Sequence, residues 1–127
     1  MKTEDISLKG LYRIVDSWSE SVNKITVRVE IDGGHPVFKG HFPGKPVLPG
    51  MATIEILREL ITFHLNREAR LIKVPVIKFL HFVNPAENNL IDFTIELSKT
   101  DTGTFLCAST IHFENTVFCS FKGELSV

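Results

Sequence analysis

Gly40 to Asn66 reads GHFPGKPVLPGMATIEILRELITFHLN, and two incompatible textures meet inside it. The first eleven residues end a segment, Asp32 to Gly50, in which nine of nineteen residues are Gly or Pro. Proline fixes φ and removes a backbone donor, and glycine loosens the chain, so neither a long helix nor a central strand fits there. Met51 to about Asn66 contains neither residue, and its pattern predicts one helix of roughly four turns. The apolar side chains of that stretch, from Met51 and Ala52 through Ile56, Leu57, Leu60 and Phe63 to Leu65, spread beyond a single stripe. Such a helix is expected to be buried on nearly all sides.

The flanking sequence supplies what would bury it. Ile25, Val27, Val29 and Ile31 alternate with polar residues, the period of a strand with one wet face, and Leu11 to Trp18 is expected to form an earlier strand. Downstream, Pro75 to Phe82 is predicted as a strand. Three more follow with the same alternation: Ile91 to Leu97, Phe105 to Phe113, and Val117 to about Leu125. Asp101-Thr102-Gly103 and Glu114-Asn115-Thr116 provide turns between them. A meander of antiparallel strands with one apolar face needs a cover, and the helix is the candidate. The expected class is α+β, one domain over residues 1–127.

Composition excludes other classes. The chain has 127 residues, 43% hydrophobic and 23% charged, which rules out disordered and low-complexity types. Fourteen basic residues against fifteen acidic give a net charge of -1, so bulk charge offers no hold on nucleic acid. No apolar run matches a signal peptide or a membrane span, which makes the cytoplasm the expected location and membrane insertion unexpected. Cys107 and Cys119 have no metal-type spacing and are expected to be free, buried thiols. Ten Phe stand against one Tyr and one Trp, which favours dry burial; core packing is the common reason, an apolar ligand or an extensive partner surface the others.

Two features carry possible chemistry. Pro49-Gly50 lies where the helix begins, and the unpaired N–H groups and positive dipole end there favour a carbonyl or oxyanion, with glycine permitting close approach. The plainer reading is a loop whose Gly and Pro only set turns. His41 lies in that loop and Glu55 in the helix's second turn, a pair suited to acid–base work near neutral pH. Glu55 sits among Ile54, Ile56 and Leu57, so it either has a task or meets a wet gap or a basic residue from a strand.

His41-Phe42-Pro43-Gly44-Lys45-Pro46-Val47-Leu48-Pro49-Gly50, preceded by Phe38 and Gly40 and followed by Glu55, resembles the signature of 3-hydroxyacyl-[acyl carrier protein] dehydratases of the FabZ/FabA type. The resemblance is strong over residues 35 to 61 and fits the order of elements over 8 to 125. It implies the hotdog fold, a curved antiparallel sheet wrapped around one long central helix. It also implies conversion of a 3-hydroxyacyl thioester on acyl carrier protein to the trans-2-enoyl thioester, without metal or organic cofactor, by a homodimer or an assembly of dimers whose sites are shared between chains. On this resemblance His41 removes the proton alpha to the thioester and Glu55 assists departure of the hydroxyl. Gly50 polarises the thioester carbonyl, the Val47 carbonyl orients the histidine, and Phe42 and Pro49 join the substrate-contacting residues.

The sequence also departs from that pattern. Glu59 stands where the family usually has Gln; a second carboxylate would favour the protonated form of Glu55, and Arg58 would offset it. The family's Pro-His-Arg segment before Leu11 is missing, which points to a specialised relative acting on other carrier-bound acyl chains. His35 is expected to serve a loop turn, and His64, His81 and His112 share no metal spacing. Lys39, Lys45, Arg67, Arg70 and Lys73 are either a solvated face or a dock for an acidic carrier. A hotdog thioesterase and a non-catalytic acyl-binding subunit are the alternatives.

Overall fold

The computed structural model describes residues 8–40 and 44–127. Strands β1 (Tyr12–Ser21) and β2 (Lys24–Ile31) form a hairpin, and the Gly/Pro segment that follows includes the 3-10 turn Pro36–Lys39. Helix α1 (Gly50–Leu65) comes next, then β3 (Arg70–Phe79), β4 (Leu90–Lys99), β5 (Phe105–Phe113) and β6 (Thr116–Ser126). Among the described residues these six strands form one antiparallel sheet in the order β1-β2-β4-β5-β6-β3. The expected meander is present in β4, β5 and β6, while the chain leaving α1 runs to the far edge and adds β3 beside β6.

The alternation read from the sequence sets the register. Val27 and Val29 of β2 pair with Phe93 and Ile91 of β4, and Phe93, Ile95 and Leu97 face the same side as Ile111, Ser109 and Cys107 of β5. Together with Cys119, Phe121 and Leu125 of β6 they make the inner face, on which Ala52, Ile56, Leu57, Leu60 and Ile61 of α1 pack. This is the expected helix wrapped by a sheet. No helix among the described residues is long and apolar enough to cross a membrane.

Two expectations need correction. β3 begins at Arg70, not at Pro75, because the strand runs through the proline, and it ends at Phe79, not at Phe82. Pro75 is tolerated since β3 is an edge strand, and the pairing with β6 shifts register between Leu71 and Lys73 and again between Lys73 and Val76. The irregularity brings the Lys73 carbonyl so near Gly123 that a Cβ there would lie 2.9 Å from it, which explains a glycine within β6. The second correction concerns α1: in the single chain Met51 is 69% and Phe63 66% exposed. The sheet covers only one side of the helix, and the apolar residues outside the main stripe remain open.

The outer face of the sheet is polar but ordered. Arg28 lies between the Trp18 and Phe113 rings, 5.3 and 5.2 Å from their centroids, and donates from Nε and Nη2 to the two oxygens of buried Asp92. At the other side, β1 is mostly exposed and is anchored to α1 by the Tyr12 hydroxyl, which donates to Glu59 Oε1 at 2.6 Å. Burial pushes the Tyr12 phenol well above its ordinary range, and the bond to Glu59 and the charges of Glu59 and Glu55 add to this. Tyr12→Phe is expected to lower stability by about 1–3 kcal/mol, the scale for a partly buried hydrogen bond to a charged group, read by urea denaturation.

Both cysteines are free and buried, as expected. Burial pushes the Cys107 thiol up to about 12 and that of Cys119 up to about 11. In the unfolded chain thiols ionise near pH 8.5, so between there and the folded values the unfolded state has fewer protons and is favoured. The contribution of these thiols to stability is complete below about pH 8.5 and is lost as the pH rises toward 11–12. The fall in denaturation midpoint between pH 8 and pH 10.5 is therefore expected to shrink in the Cys107→Ala/Cys119→Ala double variant.

Candidate active site

The segment before α1 is tied down at both ends. His35 caps the 3-10 turn, its Nδ1 accepting from the Val37 N–H at 3.0 Å while Nε2 lies 3.2 Å from the Lys9 carbonyl, so the ring serves the loop as expected. Leu48 donates its N–H to the Val83 carbonyl at 2.8 Å, which fixes the approach to the helix against the segment after β3. His41 and Phe42, expected as catalytic and substrate-contacting residues, lie outside the described residues.

Pro49 is the residue before the helix, and it offers no side-chain cap. The first intrahelical bond of the turn runs from the Thr53 N–H to the Pro49 carbonyl at 3.1 Å. The N–H groups of Gly50, Met51 and Ala52 therefore point out of the helix start without an intrahelical acceptor. A cavity of about 290 Å³ opens here, lined by Val47, Leu48, Gly50, Thr53, Phe79, His81, Phe82, Val83, Phe118 and Cys119. Its wall presses on the glycine: a Cβ on Gly50 would lie 2.7 Å from the Phe79 ring. The absence of a side chain at position 50 thus lets an aromatic wall and the helix terminus share one space.

The structure brings Val47 and Gly50 together in this cavity but leaves Glu55 out of its lining. Five residues along a helix turn the direction of a side chain by about 140°, so Gly50 and Glu55 look to different flanks of α1. Glu55 is instead forked by Arg58. Nε donates to Oε1 at 2.6 Å and Nη2 to Oε2 at 2.8 Å, with both side chains 22% exposed. The basic partner comes from the same helix, not from a strand, because residues three apart share a helix face. Glu59, expected to act on Glu55, is engaged by Tyr12 on the other side of the cluster.

Several residues of this site were not singled out by sequence reasoning. From the sequence Arg58 is expected only as an offset to Glu59, although its i,i+3 spacing from Glu55 is visible there. The sequence pattern puts Phe79 and His81 in a strand. His81 lies beyond the end of β3 and donates its N–H to Phe118, which turns it to the cavity rim. Their signal is the bulky run Lys78 to Phe82 across the end of the strand, whose side chains Phe79, Leu80 and Phe82 remain exposed.

Comparison with known proteins agrees with this architecture. Of curated proteins, a 3-hydroxyacyl-[acyl-carrier-protein] dehydratase FabZ from Rickettsia felis is 29% identical over 87 residues, which cover 62% of this chain and 60% of that enzyme. The match therefore spans less than two thirds of the relative. Among solved structures, the dehydratase heterocomplex ApeI:P from Xenorhabdus doucetiae superposes with a TM-score of 0.71 at 17% identity, covering 91% of this chain and 97% of that one. A Pseudomonas aeruginosa thioesterase reaches 0.62 at 10% identity, covering 97% and 86%, so the hotdog fold is shared across different activities. The family described as ApeI-like, ApeI dehydratase, matches residues 17–122. That match takes in α1 and the strands β2 to β5 in full, with parts of β1 and β6, and with it the chain belongs to the ApeI-like dehydratase family.

Proposed function

We propose that this protein dehydrates 3-hydroxyacyl thioesters presented by an acyl carrier protein, releasing water and the trans-2-enoyl thioester. The observation that carries the reading is the apolar cavity at the uncapped start of α1, where Gly50 lies under Phe79. A thioester carbonyl seated there accepts from the Gly50 N–H, and the helix terminus stabilises the negative charge that develops on it. His41 takes a proton from C2, the electron pair becomes the C2–C3 double bond, and the bond from C3 to oxygen breaks; the proton held by His41 passes to the departing hydroxyl, which Glu55 holds and helps to leave as water. The Val47 carbonyl orients the His41 ring, and Phe42 and Pro49 border the substrate. Phe82, Val83 and Phe118 offer the acyl chain an apolar wall.

The site is completed in a homodimer, His41 of one protomer facing Glu55 of its twin. Two features of the single chain support this. Glu55 looks away from the cavity that Gly50 lines, and β3 is a sheet edge with Ile72, Ile77 and Phe79 exposed on it. Lys39, Lys45, Arg67, Arg70 and Lys73 give an acidic carrier a basic surface to meet.

His41→Ala and Glu55→Gln are each expected to lower hydration of a crotonyl thioester by at least about 10²-fold, the usual share of a general acid or base. Light scattering is expected to find both variants still dimeric. Wild-type turnover in both would sink the proposal. Release of free thiol from the acyl thioester would point to a thioesterase. Tight acyl binding with no exchange of the C2 proton would point to a non-catalytic subunit.

A further inference from the structure

We propose that Arg58 is a positioning residue for Glu55, holding its carboxylate in one orientation for the reaction. The inference rests on the role given to Glu55 above, and its geometry is separate from the features that suggested that role. An i,i+3 pair on an open helix surface contributes little and reorients freely. The Arg58 pair is built differently. Both oxygens of Glu55 are taken by two nitrogens of one guanidinium, and this planar fork fixes the plane of the carboxylate as well as its place.

The guanidinium is in turn held from outside the helix. Its third nitrogen, Nη1, donates to Glu68 Oε1 and to the Ala69 carbonyl, each at 3.0 Å, and Ala69 is fully buried at the entry to β3. The loop after α1 is itself pinned, with the Ala69 N–H donating to Thr62 Oγ1 and Thr62 Oγ1 donating to the Arg58 carbonyl. Arg58 thus braces Glu55 against the loop between α1 and β3. The other groups facing this cluster are Glu59 on α1 and Tyr12 on β1. They bond to each other, so Glu59 does not take the place of Glu55 in the fork. The bonding to Glu55 pushes the Arg58 guanidinium above its already high range, so it stays a cation. A carboxylate has about four lone-pair positions and the fork uses two. The remaining ones stay available to hold the substrate hydroxyl.

The test is kinetic and spectroscopic. Arg58→Met is expected to lower kcat by 10- to 100-fold with KM within twofold of wild type, and Arg58→Lys, which offers a cation without the planar fork, to recover part of the loss. In a Glu55→Gln background, Arg58→Met is expected to add nothing further. Multiplying losses, or wild-type kcat in folded Arg58→Met, would overturn the proposal. If Arg58→Met fails to fold, Arg58→Lys and Glu68→Gln decide: each is expected to lose kcat by severalfold, and unchanged kcat in both overturns it. The fork is read without turnover from the Arg58 Nε–H resonance of 15N-labelled protein, expected to be protected from exchange in wild type and to lose that protection in Glu55→Gln. An exchanging Nε–H in wild type refutes the brace whatever Glu55 does. A protected one alongside full activity of Glu55→Gln instead places the failure in the role assigned to Glu55, and the positioning role falls with it.

Discussion

Everything in this molecule follows from the need to bury one apolar helix with one sheet. The sheet meets α1 through residues of β2, β4, β5 and β6, and it takes in Ile56, Leu57, Leu60 and Ile61 completely. Burying four such side chains contributes on the order of 6–12 kcal/mol, comparable with the whole net stability of a small domain. A sheet curved round one face of a helix cannot also close over the opposite face. Met51 and Phe63 stay open for that reason, and β3 ends the sheet as an unpaired edge. The same incompleteness sets the start of α1 beside a cavity rather than inside a packed core.

The chain's order makes that cavity. After α1 the polypeptide crosses to the far edge, where β3 pairs with β6 and ends at Phe79. Phe79 therefore arrives over Gly50, the first residue of the helix, and the Leu48 N–H to Val83 bond ties the two approaches together. Neither contact depends on residues near each other in sequence. The aromatic wall and the N–H donors meet only because β3 occupies the edge next to β6, and a β3 inserted elsewhere in the sheet would leave the helix start facing water.

The parts legible in the sequence were those with local causes. Alternation marked β2, β4, β5 and β6, and the end of Gly and Pro at position 50 marked the start of α1 to within a residue. What was hidden had non-local causes. Pro75 looked like the start of a strand because a proline rarely continues one; its tolerance depends on β3 being an edge, which is a property of the whole sheet. The exposure of Phe63 depends on which flank of the helix the sheet reaches. Tyr12 and Glu59 stand 47 residues apart, and nothing in their spacing announces a bond. Arg58 and Glu55 were adjacent on a helix face and so visible as a pair, but their bracing by Ala69 required the turn after the helix.

The angular arithmetic of α1 constrains the proposed reaction, which draws on both Gly50 and Glu55. Gly50 and Glu55 lie about 140° apart round the helix axis, and Arg58 holds Glu55 to its own flank through the loop before β3. A substrate bonded to the Gly50 N–H of one chain cannot at the same time meet that chain's Glu55 without freeing the carboxylate from its fork. In the proposed dimer, two chains related by a twofold axis would remove the conflict, because the flank of one helix that carries Glu55 would then be brought to the flank of the other that carries Gly50. The exposed flank of α1 and the unpaired edge of β3 are surfaces by which such a pair would form, so the feature that leaves the single chain incompletely buried is the same one that would complete its chemistry.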